Sequence, residues 1–125
     1  AEAGARSQGF TIGLQYLNKA RAFLNGGGCV NDYFKTLSYK YEAYDENDFA
    51  DGGLLNKDHL EPLRALLREI ILERYVSGFT TFIPFDDARR LRGTSETDIA
   101  LDIPLNTTSV DYQPERCFYP ESEML

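Results

Sequence analysis

The sequence predicts a mainly α-helical fold that ends in an extended, irregular arm. Three observations predict it. Apolar residues recur at helical spacing over 7–25 and 58–76, an aromatic series over 31–44 steps by four and three, and no period survives beyond Gly93. With 125 residues, 42% of them hydrophobic, the chain fits one domain and can supply a core.

The first helix is expected over Ser7–Asn25. Ile12, Tyr16, Leu17, Ala20, Phe23 and Leu24 fall on one side, with Gln15, Asn18 and Arg21 on the other. Gly26–Gly28 stops it, because glycine suits a helix C-cap and costs entropy inside a helix. The second is expected over Asn31–Tyr44, carrying Tyr33, Leu37, Tyr41 and Tyr44, with Asn31 or Asp32 as cap. So many aromatics also suit a strand. Tyr33, Tyr41 and Tyr44 have the chemistry of a sugar-stacking platform, since an aromatic face complements the C–H face of a pyranose. Core packing explains them equally well.

Asp45–Lys57 reads as a loop rich in Asp, Asn and Gly. Its acidic residues do not meet the spacing of a calcium loop, which needs glycine at position six and glutamate at twelve. The third helix is expected over Asp58–Val76, with Asp58 as cap and Pro62 in the first turn. Leu60, Leu63, Leu66, Leu67, Ile70, Ile71 and the stem of Arg74 form its apolar face, and Glu61, Arg64 and Arg68 its outer face. Ser77–Gly78 breaks it, and Pro84 ends the short aromatic stretch Phe79–Phe85. Phe85–Arg92 then has room for a short helix capped by Asp86 and Asp87.

From Gly93 the chain is rich in Thr, Ser, Asp and Pro, yet keeps Ile99, Leu101, Ile103, Leu105, Tyr112, Phe118 and Tyr119. That is too apolar for a disordered tail. It reads as an arm laid over other structure, and a domain of this size offers little surface for it. The expected surface belongs to a further part of the protein or to a partner.

Composition excludes several function classes. A net charge of −7, with no basic block larger than Arg89–Arg90, does not fit a nucleic-acid binder. Cys29 and Cys117 lack metal or redox spacing and read as two free thiols or one long-range disulfide. No stretch approaches the roughly 20 apolar residues of a membrane span, and Ala1–Arg6 has no apolar signal region. Phosphate-binding, dinucleotide, metalloprotease and nucleophile-elbow motifs are missing. His59, the single histidine, lies at a helix start, where a surface or capping role is the expectation. No catalytic residue, metal ligand or cofactor is assigned.

Four segments, in order, carry a resemblance. They are Gly13–Arg21 (GLQYLNKAR), Leu66–Tyr75 (LLREIILERY) with the turn Ser77–Phe79, Phe85–Arg90 (FDDARR), and Ile103–Asn106 (IPLN) with Pro114–Glu123 (PERCFYPESE). Together they resemble the closing region of the SusD/RagB family, whose patterns are "A-x-x-Y-L-N-x-x-R", "LREIxxER", "D-x-R-R" and "IPLN … P-x-R-F-x-Y-P-x-S-E". Ser77 stands where many members carry an acidic residue, Cys117 replaces an aromatic or apolar residue, and Gly26–Leu55 has no counterpart.

The resemblance implies a helical fold of tetratricopeptide-like helix pairs, of which residues 1–125 would be the C-terminal segment. It implies a surface-exposed lipoprotein of a Gram-negative outer membrane, anchored outside this segment. The partner would be a SusC-like TonB-dependent transporter, and the task non-catalytic capture of glycans or related nutrients. Most ligand contacts would lie outside this region, so no ligand residue is transferred. Arg74, Arg89 and Arg90 are expected to tie the arm to the helices through forked hydrogen bonds. Phe118, Tyr119 and Pro120 are expected to bury and bend it. Capture of peptides or other non-sugar nutrients, and a helical scaffold unrelated to transport, remain open alternatives.

Overall fold

A computed structural model describes residues 1–28, 40–94 and 96–100. These form four α-helices and one short 3₁₀ turn, with no strand among them. The helices are α1 (Glu2–Gln8), α2 (Phe10–Asn25), α3 (Pro62–Ser77) and α4 (Ile83–Gly93), and the turn is Asn47–Phe49. The mainly helical class is as expected.

The first helix differs from expectation by splitting in two. Gly9 has φ 87° and ends α1 while opening α2. A left-handed backbone is open to glycine without steric cost, so the chain reverses there. The reversal places Gly13 of α2 against α1: a Cβ on Gly13 would stand 2.5 Å from Ala5 Cβ and 3.1 Å from Leu66 Cδ2. The contact is a three-helix junction that admits only hydrogen at that position.

The buried face of α2 is also rotated from the expected one. Gly13, Leu14 and Leu17 are buried, whereas Tyr16 and Phe23 are exposed. Helical spacing fits either face, and the small residues of α1 select the one that packs closest.

The helix expected over 31–44 is not supported where it can be seen. Residues 31–39, including Tyr33, lie outside the described residues, and 40–44 carry no helix. Asn18 of α2 explains the change at Tyr44. Its Nδ2 donates to the Tyr44 carbonyl at 2.8 Å, and its Oδ1 accepts from the Tyr44 N–H at 2.9 Å. A side-chain amide thus satisfies the backbone that a helix would have paired internally.

The third helix starts later than expected, at Pro62. Proline pushes its predecessor out of the helical region, and Glu61 has ψ 138°. Asp58 is therefore no cap; it accepts from Arg68 Nη1 at 2.5 Å. The helix buries Ala65, Leu66, Leu67, Ile70 and Ile71, and Leu60 and Leu63 pack against the same core from its start. Arg74 departs from the apolar face, because its guanidinium pairs with Glu2 and Asp87.

Pro84 does not end a segment but sits in the first turn of α4, where its missing N–H has no cost. Asp86 lies in that first turn, while Asp87 is buried and acts as an ion-pair partner rather than a cap. The helix runs to Gly93, past the expected arm start, and Ile99 just beyond it is fully buried. Residues 101–125 lie outside the described residues.

The core joins these elements around Leu17, Phe49, Leu66, Ile71, Leu91 and Ile99. Phe49 enters it from the loop and meets Phe10 and Tyr44 edge-on, at centroid distances of 5.7 and 5.8 Å. Buried Asn56 fixes that loop: its Nδ2 donates to Phe49 O at 3.0 Å and Leu60 O at 2.7 Å, and its Oδ1 accepts from Leu60 N–H at 2.8 Å.

Candidate functional site

The second half of α2 and the second half of α3 face each other beside the start of α1. Between them lies a cleft of about 590 Å³. Its floor is aliphatic, formed by Leu17, Ala20, Leu24 and Ile70. Its rim carries Glu2, Arg6, Arg21, Glu73, Arg74 and Arg90.

One side of the rim is organised around the Glu2 carboxylate. Arg6 Nε donates to Oε1 at 2.9 Å, and Arg74 Nη1 and Arg90 Nη2 both donate to Oε2 at 3.1 Å. Partial burial alone would raise the Glu2 carboxyl, but the Arg6 and Arg90 guanidiniums outweigh it and hold it below its ordinary value. Behind it, Arg90 Nη2 also donates to Asp87 Oδ1 at 3.1 Å. Arg74 Nε stands 3.0 Å from Asp87 Oδ2 off the line of a hydrogen bond, so charge alone holds that oxygen.

The opposite side is organised around Arg21. Its Nε donates to the Glu42 carbonyl at 2.7 Å, and its Nη1 pairs with Glu73. Its guanidinium lies 3.8 Å from the Tyr44 ring centroid and 5.4 Å from that of Tyr41. The Tyr44 hydroxyl donates to Glu69 at 2.8 Å. Burial, reinforced by that carboxylate, pushes the Tyr44 phenol up from its ordinary value.

A third cluster borders the cleft through Arg6. Its Nη1 and Nη2 grip Glu96 at 2.9 and 2.7 Å. Arg64 donates to Glu96 at 3.1 Å and clamps Asp98 with a forked pair. Hydrogen bonds from Arg6, with Arg64 adding to them, hold the Glu96 carboxyl down to about 2. Arg64 likewise lowers Asp98. The segment after α4 is therefore tied down by Arg6 and Arg64, whereas the expectation named Arg74, Arg89 and Arg90. Arg74 and Arg90 instead bind α4 to the start of α1.

The chemistry of this arrangement is binding and positioning. The cleft is lined by aliphatic side chains and by guanidiniums already matched to carboxylates, without an imidazole, thiol or aromatic ring. No cluster of three metal-ligating side chains occurs among the described residues.

The tyrosines expected as a stacking platform are separated from it. One face of Tyr44 is covered by Arg21 and its edge packs on Phe49, so the ring serves the core. Tyr41 is exposed beside Arg21. His59 is not in a helix: it precedes α3 with φ 58°, exposed, with Nδ1 2.6 Å from Asp51 Oδ1. Cys29, Cys117, Phe118, Tyr119 and Pro120 lie outside the described residues.

Glu2, Arg6, Asn18 and Asn56 were not singled out from sequence. Glu2 and Arg6 had a signal, an acid four residues ahead of a base, which favours a helical ion pair. Asn56 had none, because an amide in a turn-rich loop reads as solvated.

No helix among the described residues is long and apolar enough to cross a membrane. Compared with family models, curated proteins and solved structures, the chain has no match.

Proposed function

We propose that this chain is the C-terminal segment of a SusD-like protein, built of tetratricopeptide-like helix pairs. The protein captures glycans or related nutrients at the outer surface of a Gram-negative outer membrane and passes them to a SusC-like TonB-dependent transporter. A lipid anchor outside the segment holds it there, and no bond is made or broken.

The observation that carries this reading is the order of the four matching segments. Its physical support is that two of them meet. Arg74 of LLREIILERY and Asp87 and Arg90 of FDDARR share one ion cluster with Glu2. Motif residues spaced far apart in sequence thus have one common reason, to lock α3, α4 and α1 together around the cleft.

A second reading, capture of short peptides, is favoured by the cleft itself. Sugar sites use aromatic faces, whereas this cleft is aliphatic with both charge signs on its rim.

The test is a binding screen of the full-length protein against glycan and peptide panels, with co-purification of the adjacent transporter. Glycan binding with transporter capture is the expected result. Peptide binding alone replaces the ligand class with the second reading. A protein that captures no transporter and binds neither panel sinks the nutrient-uptake reading.

A further inference from the structure

The corner between α3 and α4 is unlike the rest of the surface. From Tyr75 to Phe85 the chain carries no charged residue, in a sequence of which 26% is charged. Its apolar side chains point outward. Exposure rises from 58% at Val76 through 69% at Phe79 to 83% at Phe82, then falls to 44% at Ile83. That profile describes a convex tip, not a groove. Contiguous exposed apolar surface of this kind marks an interaction site.

The backbone of the tip needs little from water. Gly78 N–H donates to Arg74 O at 2.8 Å, Phe79 N–H to Val76 O at 3.3 Å and Thr81 N–H to Gly78 O at 2.9 Å. Ile83 N–H donates to Thr81 Oγ1 at 3.2 Å, and Pro84 has no N–H to satisfy. Thr80 has φ 73°, a conformation uncommon for a β-branched residue, and it sits between the two outward phenylalanines.

Charge returns behind the tip in one layer. Arg74, Arg89 and Arg90 are each 41–46% exposed. Arg89 and Arg90 follow Phe82 by seven and eight residues, about 10–12 Å back along α4 at roughly 1.5 Å per residue. The occupant must therefore accept an uncharged apolar tip and present anionic groups about 10 Å behind it.

We infer that this corner is a lipid-contact site: Val76, Phe79, Phe82 and Ile83 enter the headgroup–acyl boundary of a bilayer, and the arginines lie at its phosphates. Interfacial segments insert to a depth of roughly 5–10 Å, which matches the tip-to-arginine spacing. The inference goes beyond nutrient capture and does not depend on it. A lipid anchor elsewhere fixes the protein to the membrane, whereas this corner sets which side of the domain faces it.

The experiment is flotation of the purified, unlipidated protein with phosphatidylcholine vesicles, with and without phosphatidylglycerol. Both phenylalanines are exposed, so a Phe79→Ser/Phe82→Ser variant keeps the helical circular dichroism of the parent. The parent floats with both vesicle types, and the double variant floats at least about tenfold less. Leu54→Ser, at an exposed leucine outside the corner, leaves flotation unchanged. In Phe82→Trp, brominated acyl chains quench the indole. Equal flotation of parent and double variant, or no flotation of the parent, overturns the inference. A parent that stays with the buffer as a dimer, and a double variant that is monomeric, makes the corner an interface between copies instead.

Discussion

Arg74 of α3 and Asp87 of α4 lie 3.0 Å apart, and that contact closes a cluster in which the Glu2 carboxylate also takes part. Asp87 is 5% exposed, so its charge is tolerable only because Arg74 and Arg90 both face it. Removing one partner leaves a buried carboxylate half compensated. Arg74→Met is expected to destabilise the protein by about 2–4 kcal/mol, measured by urea unfolding. Arg74→Met/Asp87→Leu is expected to recover at least half of that loss. If the double variant is as unstable as the sum of the two single ones, the two residues do not form one unit.

The helical class was legible in the sequence because α3 writes its period with Leu66, Leu67, Ile70 and Ile71, and tertiary packing left that face unchanged. The face of α2 was not legible. Its choice depends on Gly13 and Ala5 meeting across a reversal at Gly9, and single-helix spacing carries no record of a partner. The helix expected through Tyr44 failed for a similar reason. A distant amide, Asn18, supplies both of its backbone bonds. The candidate cleft was legible only in its arginines, since ion pairs between segments as far apart as Glu2 and Arg90 leave no local pattern.

Gly13 and Gly93 are expected to respond to alanine with opposite signs. At Gly13 the new methyl would stand 2.5 Å from Ala5 Cβ and 2.9 Å from Ala5 Cα, so α1 must move. Overpacking of that kind costs about 1–3 kcal/mol, which outweighs the gain in helix propensity of about 1 kcal/mol. At Gly93 nothing lies within 4 Å, and only the propensity gain remains. Thermal melts of the two variants should bracket the parent. A stabilised Gly13→Ala would show that α1 does not pack on α2 as described.

Asn56→Ala is expected to be among the costly loop substitutions. It removes three hydrogen bonds and strands the Phe49 carbonyl and both backbone groups of Leu60 in a part-buried setting. A loss of about 3 kcal/mol follows from the desolvation of groups left unpaired. Phe49 anchors the same loop in the core, so hydrogen exchange over 49–60 should accelerate more than exchange in α3. Equal acceleration in both would mean that the loop is not held separately by Asn56.

The Arg6–Glu96–Arg64 cluster makes a pH dependence whose sign is fixed. Hydrogen bonds from Arg6 hold the folded Glu96 carboxyl at about 2, against an ordinary value of 4.5, and Arg64 lowers Asp98 in the same direction. A depressed folded value means that the unfolded chain binds protons first. The stabilisation is therefore complete above about pH 4.5 and is lost as pH falls toward about 2. Both carboxylates reach solvent, so screening limits the effect to about 1 kcal/mol. Arg6→Gln should flatten the acid limb of stability against pH and leave the neutral plateau lower by a similar amount. It also frees Glu2 from one of its three arginines, but Arg74 and Arg90 remain to hold that end of α1. An acid limb unchanged by Arg6→Gln would place the proton uptake on other carboxylates and leave the segment after α4 without its proposed tie to α1.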